Sequence, residues 1–222
     1  MKKLFLLLTI SCITSSVLAQ DWANLERFKN ENSIIIQEQK TAQRVVFMGN
    51  SITEGWSNFD PDFFNENQYI NRGIGGQTTP QMLLRFRQDV VDIKANTVVI
   101  LAGINDIAEN TGPISLKQIL GNIVSMCELA SQNNIRVILC SVLPANKFPW
   151  EPKINPTQKV IDLNEMLLDY ANSKSITYVD YYSKMVDNKQ GIIPAYGYDP
   201  VHPNLEGYVV MKHILSEVLE IK

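Results

Sequence analysis

Short apolar runs, rich in β-branched residues and apolar on successive rather than alternate positions, constrain this chain most. Arg44-Val45-Val46-Phe47-Met48, Thr97-Val98-Val99-Ile100-Leu101 and Arg136-Val137-Ile138-Leu139-Cys140 are the clearest. Ile176-Thr177-Tyr178-Val179-Asp180 is weaker, and Gln68-Tyr69-Ile70-Asn71 is a further candidate. A strand that is apolar on both faces must be covered on both faces, which is the situation of a parallel sheet between helices. The segments between the runs begin like helices. Thr79 puts a capping hydroxyl before Pro80 at the first helical position. Ser115 with Gln118 forms a capping box ahead of Ile119, Ile123, Met126 and Ala130. Asn155-Pro156 with Gln158 repeats the device ahead of Val160, Leu163, Leu167 and Tyr170. Asn204 caps a last helix, with Leu205, Val209 and Ile214 expected to face inward. The predicted class is α/β: a three-layer α/β/α sandwich around a central, mostly parallel sheet. Residues 21–32 read as an amphipathic helix that packs through Trp22, Leu25 and Phe28.

The N-terminus stands apart from this pattern. Met1-Lys2-Lys3 is a basic start, Leu4 to Ile10 is a short apolar run, and Val17-Leu18-Ala19 closes the segment. This reads as a secretory signal over residues 1–19, cleaved after Ala19, ahead of a single domain over 20–222. The run is too short to span a bilayer core of about 30 Å, so no stable membrane insertion is expected. Thr9-Ile10-Ser11 before Cys12 is a poor match to a lipobox, so a lipoprotein anchor is not the favoured reading. The expected location is outside the cell or in a periplasm.

Loss of Lys2 and Lys3 leaves 18 basic against 23 acidic residues, a net charge of −5. With no long basic run, nucleic acid and anionic membranes are poor partners. Cys127 and Cys140 read as buried free thiols, one in a helical and one in a strand pattern, though an oxidising compartment would permit a disulfide.

Ligands of open α/β sheets bind beyond the carboxyl ends of the strands, and several suggestive segments fall there. Ser51 follows the first apolar run, in Phe47-Met48-Gly49-Asn50-Ser51-Ile52-Thr53. Taken alone, it serves equally well as a helix cap. Asn71-Arg72-Gly73-Ile74-Gly75-Gly76-Gln77-Thr78-Thr79 is a glycine-dense turn able to aim backbone N–H groups at an anion. It fits neither the dinucleotide fingerprint nor the phosphate loop with its lysine. Gly103-Ile104-Asn105-Asp106 ends another run, where an asparagine is either a turn former or a donor to a developing oxyanion. Near the C-terminus, Tyr198-Asp199-Pro200-Val201-His202-Pro203-Asn204 places an aspartate and a histidine three residues apart in a turn. That spacing lets a carboxylate hold one imidazole nitrogen. With only two histidines, the choice of general base is narrow. His213 lies in the last helical pattern and reads as structural. No zinc motif exists, and neither a metal nor a cofactor is expected.

Together these segments resemble the SGNH hydrolase family, the GDSL-like lipases and esterases, in motif order and spacing from Val45 to Tyr208. The resemblance implies a flavodoxin-like SGNH hydrolase fold. It implies Ser51 as nucleophile, His202 as base and Asp199 as the triad acid. It also implies an oxyanion hole from the Ser51 and Gly76 backbone N–H groups and the Asn105 side chain, Gly75 being the weaker candidate for the glycine donor. Two positions depart from the family's habit. Asn50 stands where Gly-Asp-Ser is usual, which removes a negative charge beside the nucleophile, and Gln77 stands where an aspartate is frequent. Ser51 is not in a Gly-x-Ser-x-Gly elbow, because position 53 is threonine. The function implied is hydrolysis of short acyl groups from small-molecule or glycan esters. A lysophospholipase or platelet-activating-factor acetylhydrolase-like esterase is the alternative, and an inactive glycan-binding relative the third reading. Trp56, Trp150 and Tyr198 are the aromatic candidates for substrate contact; loop packing is their competing role.

Overall fold

The computed structural model describes residues 21–38 and 43–219. The expected signal segment 1–19, its cleavage site and Cys12 lie outside them. Five strands form one sheet in the order β2-β1-β3-β4-β5, with every neighbouring pair parallel. The strands are β1 (Val45–Gly49), β2 (Ile70–Gly73), β3 (Thr97–Leu101), β4 (Arg136–Cys140) and β5 (Thr177–Val179). The helices are α1 (Lys29–Gln37), α2 (Ser51–Phe59), α3 (Pro61–Asn67), α4 (Thr79–Phe86), α5 (Ile104–Ile107), α6 (Leu116–Gln132), α7 (Thr157–Lys174), α8 (Tyr182–Met185) and α9 (Leu205–Leu219). A π-helical turn over Arg87–Val91 extends α4. The chain thus folds as the α/β sandwich that its strand pattern predicts. α4, α6 and α7 pack in succession on one face, and α2 and α9 meet on the other.

Double coverage explains the composition of the strands. Val46, Phe47 and Met48 of β1 and Val98, Val99 and Ile100 of β3 are all buried, although successive residues point to opposite faces. The helix faces follow the same requirement. Ile119, Ile123, Met126 and Ala130 of α6 are buried as their spacing demands, and the Ser115–Gln118 capping box is formed.

Several local expectations are corrected. Residues 21–28 run as turns, and the helix begins at Lys29, leaving Trp22 and Leu25 exposed and Phe28 buried. The second strand starts at Ile70 and continues to Gly73. The cap of α4 is Thr78, one residue earlier than expected, because the Thr79 hydroxyl is committed to Asp106 at 2.6 Å. Asn155 does accept the Thr157 N–H, but Gln158 turns to Asp162 and does not complete a capping box. In α9 the inward face is Gly207, Tyr208, Met211 and Leu215; Leu205 and Val209 are exposed. Asn204 does cap that helix, accepting the Gly207 N–H at 3.0 Å. Cys127 and Cys140 are free and buried, and burial pushes both thiols up to about 12, which leaves neither as a nucleophile.

Candidate active site

The chain runs from β1 to β2 on one side, then returns to place β3 on the other side of β1. The crevice at such a reversal lies beyond the ends of the two central strands, and Ser51 and Asn105 sit there, after β1 and β3. Ser51 is the first residue of α2. Asn50 caps this helix by accepting the Ile52 N–H at 3.0 Å, a bond that aspartate or asparagine makes equally well. The departure at position 50 therefore keeps the cap and removes only the charge. The first N–H groups of a helix have no acceptor within it, so the backbone around Ser51 presents donors where the strand ends.

His202 reaches Ser51 from the far end of the chain. Its Nε2 lies 2.9 Å from Ser51 Oγ, and its Nδ1 lies 2.8 Å from Asp199 Oδ2. Asp199 Oδ1 accepts the backbone N–H groups of Val201 and His202, and the loop closes with the Tyr198 N–H on the His202 carbonyl. Partial burial pushes the Asp199 carboxyl upward, but these two N–H groups and the imidazole more than offset it and hold it below the usual carboxylate range. A carboxylate held anionic on Nδ1 fixes that nitrogen as donor, leaving Nε2 to accept from the serine.

Facing Ser51 is a frame of hydrogen bonds between two loops. Asn105 Nδ2 donates to the Gln77 carbonyl at 3.0 Å and Asn110 Nδ2 to the Gly76 carbonyl at 3.1 Å. The Thr78 and Thr111 hydroxyls are 3.0 Å apart, and Asp106 accepts both the N–H and the hydroxyl of Thr79. Gly76 has φ +74° and Gly103, just before Asn105, has φ +120°, conformations that side chains disfavour. The Gly75 N–H is taken by Glu54 Oε2 at 2.8 Å. Glu54 was not singled out from the sequence, yet it stands three residues after Ser51 on a helix and so shares its face.

Two hollows meet at Ser51. One, of about 290 Å³, is lined by Ser51, Gly76, Asn105, Asn110, Trp150 and His202. The other, of about 610 Å³, runs from Ser51 past Glu54 and Tyr198 to Arg27. A further hollow of about 670 Å³, bordered by Cys127, Arg136 and Thr177, opens at the opposite ends of the strands. Trp150 and Tyr198 are exposed and flank the imidazole, with ring centroids 6.1 and 5.5 Å from it. Trp56 is not part of this rim. It is 2 % exposed, stacked between Phe63 at 5.0 Å and Tyr208 at 5.6 Å, and serves as core. His213 is exposed on α9, away from these groups.

A sequence profile of the GDSL-like Lipase/Acylhydrolase family matches residues 47–210. A crystal structure from Bacteroides fragilis, assigned as an acylhydrolase, superposes with a TM-score of 0.88 at 51% identity, covering 90% of this chain and 98% of that one. Among curated proteins, the uncharacterized lipoprotein YqeF of Bacillus subtilis is 33% identical over 48% of this chain and 51% of its own length. Platelet-activating factor acetylhydrolase IB subunit alpha2 of Rattus norvegicus is 26% identical over 67% of this chain and 64% of its own. The chain thus spans about half to two-thirds of the length of these curated relatives.

Proposed function

The chain belongs to the GDSL-like lipase/acylhydrolase family, and from that footing we propose that it is a serine ester hydrolase of short acyl, carbohydrate-linked esters. The observation that carries this reading is the relay from Ser51 Oγ through His202 to Asp199, at 2.9 and 2.8 Å. Ser51 Oγ attacks the ester carbonyl carbon while His202 Nε2 takes the hydroxyl proton. The Ser51 and Gly76 N–H groups and Asn105 Nδ2 stabilise the oxyanion, with the Gly75 N–H already engaged by Glu54. The C–O bond to the alcohol breaks as His202 returns the proton to it. Water then attacks the acyl-serine, its proton passing through His202 back to Ser51 Oγ as the acid leaves.

A short acyl group is favoured because the oxyanion donors line the smaller of the two hollows. The rat relative is named for removing an acetyl group from platelet-activating factor, which agrees on the acyl part and supports, as the second reading, a phospholipid-derived alcohol. Among the described residues no helix is long and apolar enough to cross a membrane. Residues 1–19 are read as a cleaved secretory signal, and a mature protein whose mass begins at Gln20 is the expected product; a lipid-modified Cys12, in keeping with the name of the Bacillus relative, would refute it.

Hydrolysis of p-nitrophenyl acetate, butyrate and octanoate, with Ser51→Ala alongside, tests the catalytic reading. Turnover is expected to fall with chain length and to drop by at least about 10³-fold in Ser51→Ala. Undiminished turnover in a folded Ser51→Ala protein ends the mechanism. Turnover that rises with chain length shifts the choice to lysophospholipid-like esters, and retained glycan binding with no turnover shifts it to an inactive relative.

A further inference from the structure

The turns at residues 21–28 have no counterpart in the catalytic reading, yet they are tied down with unusual care. Three glutamine side chains each donate to a backbone carbonyl of this segment: Gln77 to Ala23 at 2.8 Å, Gln81 to Trp22 at 2.7 Å and Gln88 to Leu25 at 2.7 Å. Gln77 is buried, and its other amide atom, Oε1, accepts from Arg85 Nε at 2.6 Å. An aspartate, the residue frequent at this position in the resembling family, could take the Arg85 bond but has no N–H for the Ala23 carbonyl. Of the three glutamines, Gln77 is the one that fastens the segment to the loop that carries Gly76.

Docking brings Arg27 to the groove of about 610 Å³ that begins at Ser51. Arg27 Nη2 lies 3.6 Å from Glu54 Oε1, too far for a hydrogen bond, with both side chains part-exposed. Glu54 is itself immobilised, since its other oxygen holds the Gly75 N–H. Arg72 and Glu31, paired at 3.1 Å, also line the groove, so its two cations and two anions balance and it has no net preference for an ionic ligand. Arg27 and Glu54 each keep hydrogen-bonding capacity, and charged donors and acceptors bind hydroxyl groups more strongly than neutral ones do. The exposed ring of Tyr198 borders the same groove and offers an apolar face.

We propose that residues 21–28 form the wall of a leaving-group subsite for a neutral, hydroxyl-rich alcohol such as a sugar, in which Arg27 and Glu54 contact the alcohol and Gln77 is the positioning residue. This rests on the assignment of Ser51 as nucleophile. The ester straddles Ser51, with its carbonyl toward Gly76 and Asn105 and its alcohol in the groove.

The test compares kcat/KM on 6-O-acetylglucose and acetylated xylotriose with kcat/KM on p-nitrophenyl acetate, whose alcohol carries no sugar hydroxyls. In Arg27→Ala the ratio of sugar ester to p-nitrophenyl ester is expected to fall about tenfold, through KM, as for one lost charge-assisted hydrogen bond. Arg27→Lys should recover part of the loss. Gln77→Glu keeps the acceptor for Arg85 and removes the donor to Ala23. It should lower the same ratio and speed amide exchange at residues 22–25. A ratio unchanged within about twofold in Arg27→Ala overturns the subsite, as does a loss in kcat shared equally by both esters. A wild-type enzyme active on p-nitrophenyl acetate but inert on both sugar acetates overturns it too. No Ser51-dependent hydrolysis of p-nitrophenyl acetate removes the catalytic reading itself, and the subsite with it.

Discussion

Asp106 accepts the N–H of Thr79 with both carboxylate oxygens at 3.0 Å and the Thr79 hydroxyl at 2.6 Å while almost wholly buried. Burial raises its pKa from 3.8 to about 6, and the Thr79 donors pull it back only in part. The direction of the effect on stability follows. The folded protein holds this proton to higher pH than the unfolded chain, so the group opposes folding least below pH 3.8 and increasingly as pH rises toward 6. The full effect amounts to about 3 kcal/mol. Asp106→Asn should remove that pH-dependent component, so that the variant gains stability relative to wild type between about pH 4 and 7. Urea midpoints across that range check it, and parallel profiles would refute it. Asp199 has the opposite sign: its lowered pKa favours the fold above the unfolded value, and that contribution is lost as acid protonates it. These two acids therefore pull the stability profile in opposing directions.

At the scale of the element, what the sequence made legible depended on whether local pattern or distant contact chose the outcome. The face of α6 was readable because its apolar residues recur at one helical spacing and its capping box is local. The face of α9 was not. Apolar residues occupy most of its circumference, and the choice among faces is made by Tyr208 Oη on the Ile52 carbonyl and by Gly207 packed against the Tyr196 carbonyl. Both partners are invisible to a window of local sequence. Trp56 looked like a pocket wall because it follows Ser51 closely, but at about 100° per residue the intervening stretch of helix turns it to the core side. The same arithmetic would have found Glu54, one turn on from Ser51. The spacing of Asp199 and His202 was readable because a turn brings such positions together without outside help. The cap at Thr78 was missed because Thr79 and Thr78 look alike until Asp106 claims one of them.

Across the whole molecule, a buried polar layer links the separate pieces of the site. Arg85 pairs with Asp89 at 2.9 Å, both fully buried, and also donates to the Gly49 carbonyl at the end of β1 and to Gln77. Asn32 of α1 joins Asp89 to Arg72 of β2. One guanidinium thus ties the strand that leads into Ser51, the proposed nucleophile, to the loop that carries Gly76, the proposed oxyanion donor. Arg85→Met should cost about 3–5 kcal/mol, because it strands a buried carboxylate and two acceptors, out of a total of about 5–15 kcal/mol for a domain. Arg85→Met combined with Asp89→Leu should recover part of that loss in denaturant midpoint. A double variant no more stable than the single one would mean that the lost hydrogen bonds, those of Arg85 to Gly49 and Gln77 and that of Asn32 to Asp89, outweigh the orphaned charge.

The Ser51–His202 contact joins residues 151 positions apart, and the Tyr208 tether to α2 spans 156. A polypeptide growing from its N-terminus therefore carries Ser51 through most of synthesis without His202 beside it. All five strands can pair before His202 reaches Ser51, so under the proposed mechanism ester cleavage begins only when the final segment lands. Recovered turnover in a refolding experiment is then a clock for that last docking event, and it should lag any spectroscopic signal that reports the sheet.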